Sequence, residues 1–338
     1  EKIFKKAWHF AGIKKDYDTE NKFKTFNIAG IPVVVQNLNG EIKAFKNICS
    51  HRHSIIQTAS EGVRPLLCPY HGWAYNNKGI PVGIPKKPLF SFSKSELQCL
   101  KLMEFEIDYC GELVFVRIEN SGINLKNYLG IYFNELSSSS KQFDSLIDIN
   151  KIKIKANWKI LVENTLESYH VNLVHANTFR RLGASGLDFD FDGPHSKWRA
   201  ELANKETEGK QARINKFFSN RNYKIDGYNH LLIFPNLLYA STYGISFNLS
   251  LMEPISYNET SFTSYVFLSN HSGKSNVAID FYKKSLIKFN RDVFNEDKVV
   301  CEGVQIGAKN SHYNGQLSEE ESRVCEFQKS YINFMNSN

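Results

Sequence analysis

The sequence predicts an α+β chain of two domains, a small all-β unit followed by a larger one with helices and an antiparallel sheet. Three observations predict it. The chain has 338 residues, enough for about two domains at ~150 residues each. From about Phe23 to Ile118, short β-branched and aromatic runs alternate with turn residues, as in a unit of short strands. Beyond them, helical patterns at Trp158–His175 and Phe289–Gly307 flank strand-like stretches at Leu231–Tyr239, Ser246–Met252 and Thr260–Leu268, the mixture expected of an α+β unit.

Ile3, Phe4, Ala7, Trp8 and Ala11 lie at helical spacing, which predicts a short amphipathic helix over residues 1–12. Residues 1–21 are accordingly expected to be an N-terminal helical segment packing on the second domain. Pro32–Gln36 is a β-branched run, Asn39-Gly40 is a hairpin signal, and Glu41–Ile48 is the returning strand. Gly72–Tyr75 followed by Asn76-Asn77-Lys78-Gly79 suggests a second hairpin, and Gly111–Ile118 another strand. The serine run Ser137–Ser140 has a linker's composition, which sets the domains at residues 22–136 and 141–338. No internal repeat is visible.

Lys+Arg 42 against Asp+Glu 35 gives a net charge of +7, and the 42% hydrophobic fraction excludes wholesale disorder. The positive charge is spread among Asn, Glu and Asp with no dense Lys/Arg block. It suits an acidic protein partner as well as nucleic acid, and no nucleic-acid binding is expected. No apolar run approaches the ~18 residues of a membrane helix, so no membrane span is expected. Six cysteines in this length do not make a disulfide framework and fit a reducing cytoplasm; Cys99, Cys110 and Cys325 read as small buried hydrophobes. A sequence that opens on Glu1 is expected to lack its true start.

Between Cys49 and His71 the chain reads C-x-H, sixteen residues, then C-x-x-H. Two mixed pairs of Cys49/His51 and Cys68/His71 offer two thiolates and two imidazoles, which suit either a tetrahedral zinc or a [2Fe-2S] cluster with cysteines on one iron and histidines on the other. Zinc fingers commonly keep the two cysteines together in one pair. A mixed pair reaches both irons of a cluster, so the spacing favours the cluster. His53, beside Arg52, is expected to face solvent or to stand behind the ligands.

The second constellation lies at Asn157–His175, where Glu163, Glu167 and His170 fall at i, i+4 and i+7 on one helix face. His170 and His175 are five residues apart, ~140° round a regular helix. To share a metal they require the helix to widen or break between them. The simpler reading of such an isolated pair is two histidines on different helix faces with one satisfied in the core; a metal shared by both would want a carboxylate from another element. Residues 291–307 offer Asp292, Glu296, Asp297 and Glu302. Asp297 shares a face with Val300, Cys301 and Val304 and so points inward, with Glu296 its main competitor.

The first set resembles the Rieske iron–sulfur family at all four ligands. Glu163, Asn164, Glu167, Tyr169, His170 and His175 are similar to the signature E-N-x-x-D/E-x-Y-H-x4-H of the Rieske non-heme iron oxygenases. The likeness extends through Trp8–Gly12, Ile233–Asn236 and Glu320–Arg323. It implies a Rieske [2Fe-2S] domain and a helix-grip catalytic domain, together the oxygenase (alpha) component of a ring-hydroxylating system. By the resemblance, Cys49, His51, Cys68 and His71 hold the cluster, and His170, His175 and Asp297 hold mononuclear Fe(II). Electrons come from a separate flavin/iron–sulfur reductase, directly or through a ferredoxin, since no NAD or flavin fingerprint is present. O2 is activated at Fe(II) and one or both atoms enter a small organic substrate.

The resemblance further implies a homotrimer in which Glu167 bridges the two centres across the subunit boundary. Glutamate there, where many ring dioxygenases carry aspartate, tilts the reading from ring dihydroxylation toward monooxygenation or demethylation. The alternatives are an aromatic-ring cis-dihydroxylating alpha subunit, a Rieske electron carrier without oxygenase activity, and a colourless zinc module. Asp188–Gly193 mimics half of an EF-hand but has Arg199 where a glutamate is required, and reads as a mobile acidic loop near the substrate entrance. Gly273-Lys274-Ser275 lacks the upstream glycine of a phosphate loop.

Overall fold

The computed structural model describes residues 2–119, 122–202, 214–218, 221–271 and 277–336; Gly273-Lys274-Ser275 lies outside them. The chain forms two compact units, Glu1–Leu129 and Gly130–Asn338.

In the first unit the strands are β1 (His9–Ile13), β2 (Lys22–Ile28), β3 (Ile31–Leu38), β4 (Glu41–Lys46), β5 (Glu61–Val63), β6 (Ala74–Tyr75), β7 (Pro81–Gly83), β8 (Glu104–Cys110) and β9 (Leu113–Arg117). Seven of them pair in the order β1-β9-β8-β4-β3-β2-β5, and β6 pairs with β7. Leu38 sits opposite Glu41, leaving Asn39 and Gly40 as a two-residue turn, both at positive φ, the conformation that Asn-Gly favours. Alternation along β3 separates two cores. Val33 and Val35 bury with Ala11, Phe105 and Val116, whereas Val34 buries with Phe45, Cys49, Cys68 and Trp73. The sheet is thereby a floor under the Cys/His loops. Two short helices, α1 (Lys94–Cys99) and α2 (Leu125–Leu129), complete the unit.

Residues 1–12 do not form the expected helix. The segment ends in β1, with His9 opposite Val116 and Phe10 opposite Phe115. Trp8, His9, Phe10 and Ala11 are all buried, a continuous run that a strand covered on both faces accommodates. Arg117 stacks on the Trp8 ring at 4.4 Å and pairs with Glu106. Residues 1–21 thus belong to the first unit.

The serine run is not a linker. It closes α3 (Phe133–Ser140), where the Ser138, Ser139 and Ser140 hydroxyls donate to carbonyls one turn back. This local bonding lets serine occupy a helix end, and the unit boundary falls earlier, between Leu129 and Gly130.

The second unit holds one antiparallel sheet in the order β10-β16-β15-β14-β13-β12-β11. Its strands are β10 (Phe143–Ile154), β11 (Ala184–Asp192), β12 (His195–Leu202), β13 (Tyr228–Ile233), β14 (Leu237–Thr242), β15 (Ser246–Ser256) and β16 (Glu259–Ser269). The expected single strand at Leu231–Tyr239 is two, because Pro235 has no N–H for a ladder and the chain turns back with Ile233 opposite Leu237. The supposed acidic loop is β11 itself, where Asp188 faces Arg199 across the ladder and the guanidinium binds Asp188 and Asp190. Helices α4 (Trp158–Thr165), α5 (Val171–Val174), α6 (Val277–Asn310) and α7 (Ser322–Asn336) complete the unit. α6 docks on β10, β15 and β16 through Arg291 on Asp148, Asn290 on Asn248, and Phe294 against Phe262 at 4.4 Å. Of the cysteines expected inside, Cys110 is buried, Cys325 is half-buried and Cys99 is exposed; Cys99 ends the solvent-facing α1.

Candidate metal centres

The two Cys/His loops of the first unit are built alike. Cys49 N–H donates to the Ser54 carbonyl and the Cys49 carbonyl accepts from His53 N–H; Cys68 N–H donates to the Trp73 carbonyl and the Cys68 carbonyl accepts from Gly72 N–H. His53 and Gly72, at equivalent places, both adopt positive φ. Both loops share this tight reversal, which leaves His51 half-buried and puts His53 outside, exposed. The His51 and His71 ring centroids lie 4.6 Å apart, and Trp73 stacks on His51 at 4.8 Å. Tyr75 OH sits 3.1 Å from Cys49 Sγ and accepts from Ser50 N–H at 3.0 Å.

The donor set fits the [2Fe-2S] group. Cys49 and Cys68 are free and buried, and His51 Nδ1 is buried without a partner among the described residues, as an imidazole aimed at an absent cation would be. Burial pushes the Cys49 thiol up, so a thiolate there needs positive charge beside it. Among the described residues, the grouping of three ligand atoms all within 4.8 Å of one another is His170, His175 and Asp297.

The second centre begins with α4, capped by the Asn157 side chain, which accepts from Lys159 N–H. α4 stops at Thr165, so Glu163 is not on one face with Glu167 and His170 as the periodicity suggested; it bonds Gln328 at 3.2 Å instead. A non-helical stretch follows. His170 and His175 then flank α5, a single turn, and because His175 has left helical geometry at φ −100 and ψ 37, the ~140° separation of a regular helix does not apply. Their Nε2 atoms lie 3.2 Å apart. Asp297 Oδ1 from α6 is 3.1 Å from His175 Nε2 and 3.7 Å from His170 Nε2. Asp297 lies on the buried face with Val293 and Cys301, while Val304 is exposed.

A second layer of side chains orients these three. Glu167 binds His170 Nδ1 and accepts its backbone N–H at 3.1 Å. Glu296 Oε2 lies 2.7 Å from His175 Nδ1 and accepts the Thr178 hydroxyl at 2.7 Å. Asn164 Nδ2 donates to Asp297 Oδ1 at 2.9 Å. A carboxylate on each Nδ1 holds the proton there and turns each Nε2 lone pair to the shared point, the usual support of a metal-binding imidazole. Burial opposes protonation of His175, but Asp297 and Glu296 outweigh it and raise its pKa; the trio favours a cation. Glu296, the competitor of Asp297 in the sequence, thus meets His175 on the side of the ring facing away from the point the three share.

The trio lies at the wall of a cavity of about 1150 Å³ lined with aromatic side chains that include Phe179, Trp198 and Tyr228. A mostly apolar cavity with a set of convergent polar groups at its wall is the form of a small-molecule site. No helix among the described residues is long and apolar enough to cross a membrane.

Comparison with known proteins assigns a domain to each of the two regions. Residues 7–98 match the Rieske [2Fe-2S] domain, and residues 143–337 match the ring hydroxylating alpha subunit (catalytic domain). The chain is 26% identical over 330 residues to choline monooxygenase of Amaranthus tricolor, covering 93% of this chain and 68% of that protein. It is 27% identical over 184 residues to the glycine betaine monooxygenase oxygenase subunit of Pseudomonas aeruginosa, covering 54% and 42%. In fold it resembles the quaternary ammonium Rieske monooxygenase CntA in complex with L-carnitine, with a TM-score of 0.77, 17% identity and coverage of 97% and 89%. Naphthalene 1,2-dioxygenase of Rhodococcus sp. is similar too, with a TM-score of 0.76, 20% identity and coverage of 99% and 90%. Both domains occur in one chain in the order the motifs require, and the chain belongs to the ring-hydroxylating alpha-subunit family: it is a Rieske non-heme iron oxygenase, with a [2Fe-2S] domain followed by a mononuclear iron catalytic domain.

Proposed function

We propose that Cys49, His51, Cys68 and His71 hold the cluster, that His170, His175 and Asp297 hold Fe(II), and that the protein hydroxylates or oxidatively demethylates a small methylated amine. The observation that carries this reading is the convergence of two Nε2 atoms and one carboxylate oxygen at an aromatic-lined cavity. The bound cluster delivers electrons and the bound iron supplies the O2 chemistry. The chain's own residues orient and exclude: Glu167 and Glu296 keep the Nδ1 protons in place, Asn164 steadies Asp297, and the aromatic walls keep water out. Faces of Phe179, Trp198 and Tyr228 suit an alkylated ammonium by cation–π attraction, and relatives that act on choline and glycine betaine by name support the same class.

A separate flavin/iron–sulfur reductase supplies electrons, and three copies form a ring in which Glu167 meets the partner subunit's His71. A closed ring of identical contacts gives every cluster a partner site. The exposure of His71 favours such a contact, and six free cysteines favour a reducing cytoplasm.

The test of the reading is a substrate screen driven by peroxide in place of the reductase, with N-methylated amines and aromatic hydrocarbons side by side. We expect formaldehyde and the demethylated amine in equal amounts, or a hydroxylated product, from the amines. cis-Diols from the hydrocarbons with no product from the amines would replace monooxygenation by ring dihydroxylation.

A further inference from the structure

Arg323 of α7 is 0% exposed and carries a full charge into the second unit. Its partners are neutral: Nε donates to Ser196 Oγ, Nη2 to the Ser196 carbonyl, and Nη1 contacts His230 Nδ1, each at 3.1 Å. No carboxylate among the described residues is hydrogen-bonded to it. Burial draws the guanidinium down to about 9, which still leaves it charged at neutral pH, and a buried cation without an anionic partner is costly.

The contact with His230 fixes that residue's chemistry. A guanidinium has donors and no acceptor, so His230 Nδ1 must accept, and the ring is neutral with its proton on Nε2. Burial, and then Arg323, hold the His230 pKa well below its ordinary value, in agreement with a neutral ring. Nε2 has no hydrogen-bond partner among the described residues, nor is it sealed in protein. The open space at His230 is the cavity it lines. Strand register puts it in mid-floor: Trp198, His230, Ala240 and Asn248 lie opposite one another across β12, β13, β14 and β15, and all four line the cavity.

We propose that His230, held in its Nε2–H form by Arg323, is a specificity residue that binds a carboxylate of the substrate, with the Arg323 charge behind it as the distant counter-ion. A carboxylate there satisfies the unpaired Nε2–H and neutralises the buried guanidinium at one stroke. An amide or alcohol satisfies only the first. The inference rests on the reading of this cavity as the substrate site and adds a carboxylate to the methylated amine proposed for it.

The test uses the full-length, metal-loaded enzyme and a matched pair, a carboxylic acid and its primary amide, built on whichever skeleton the peroxide screen turns over. We expect the wild type to bind and turn over the acid in preference. In His230→Phe the KM and calorimetric Kd of the acid should rise ~10–100-fold, the range of a lost charge-assisted hydrogen bond, while the amide changes little. His230→Gln, which keeps an N–H donor, should recover part of the preference. Equal binding of acid and amide by the wild type, or an equal loss of both in His230→Phe with no recovery in His230→Gln, would overturn the inference. Because the pair follows the observed skeleton, that failure is separate from failure of the amine reading, which the screen alone decides.

Discussion

Asp297→Ala is expected to abolish turnover and to lose the mononuclear iron while the visible spectrum of the cluster stays intact. Asp297 is the sole carboxylate in the trio whose ligand atoms converge, and alanine leaves two imidazoles where Fe(II) needs two imidazoles and a carboxylate. Glu296→Ala provides the contrast. Glu296 reaches Nδ1 of His175, the nitrogen facing away from the shared point, so its loss loosens the ring's orientation and should cost ~10–100-fold in iron affinity or activity. Iron content and the cluster spectrum of the two variants decide the matter. Retention of iron in Asp297→Ala together with its loss in Glu296→Ala would move the ligand by one residue.

Glu167→Gln should slow turnover ~10–100-fold with both metals retained, as expected for a residue that orients ligands without being one. The carboxylate binds the His170 ring and backbone N–H, and in the proposed ring its other side meets the partner subunit's His71. Glutamine keeps the shape and removes the charge from both hydrogen bonds. The informative readout is a single turnover starting from reduced cluster, in which reoxidation by O2 and substrate should slow as much as product formation does. Unchanged turnover, or light scattering that found only active monomers, would refute the inter-subunit route.

Much of this architecture is readable from the sequence because its signals are local. Asn39-Gly40 specifies its hairpin, and C-x-H with C-x-x-H needs only two short loops to be brought together. The inward pointing of Asp297 follows from helical periodicity, even though Val304 on the same nominal face is exposed, since the end of a long helix such as α6 can outrun the body that covers it. What the sequence did not disclose depends on partners distant in the chain. His9 to Ala11 fall in a segment that reads as helix because its apolar spacing fits one, but pairing with β9 makes them part of strand β1; tertiary pairing overrides local pattern. Ser137–Ser140 has linker composition, and only the fold reveals that Ser139 and Ser140 are buried.

The site shows the same division. Spacing alone states that His170 and His175 cannot meet on a regular helix, and the structure ends α4 at Thr165 and lets one turn of α5 separate them. That break also removes Glu163 from the stripe it shared on paper with Glu167. Glu296 as the partner of His175, and His230 in front of Arg323, had no signal in one sequence. Each depends on residues from strands or helices far apart in the chain, and a single chain records no such pairing.

The central claim is that this chain holds two different iron centres with the donor sets assigned above. Metal and acid-labile sulfide analysis of the purified full-length protein, read together with its visible spectrum, tests it most directly. The account predicts about three irons and about two sulfides per chain, with a cluster spectrum that survives Asp297→Ala while about one iron is lost. A colourless protein containing zinc and no sulfide, or a coloured one whose iron content is unchanged by Asp297→Ala, would contradict it.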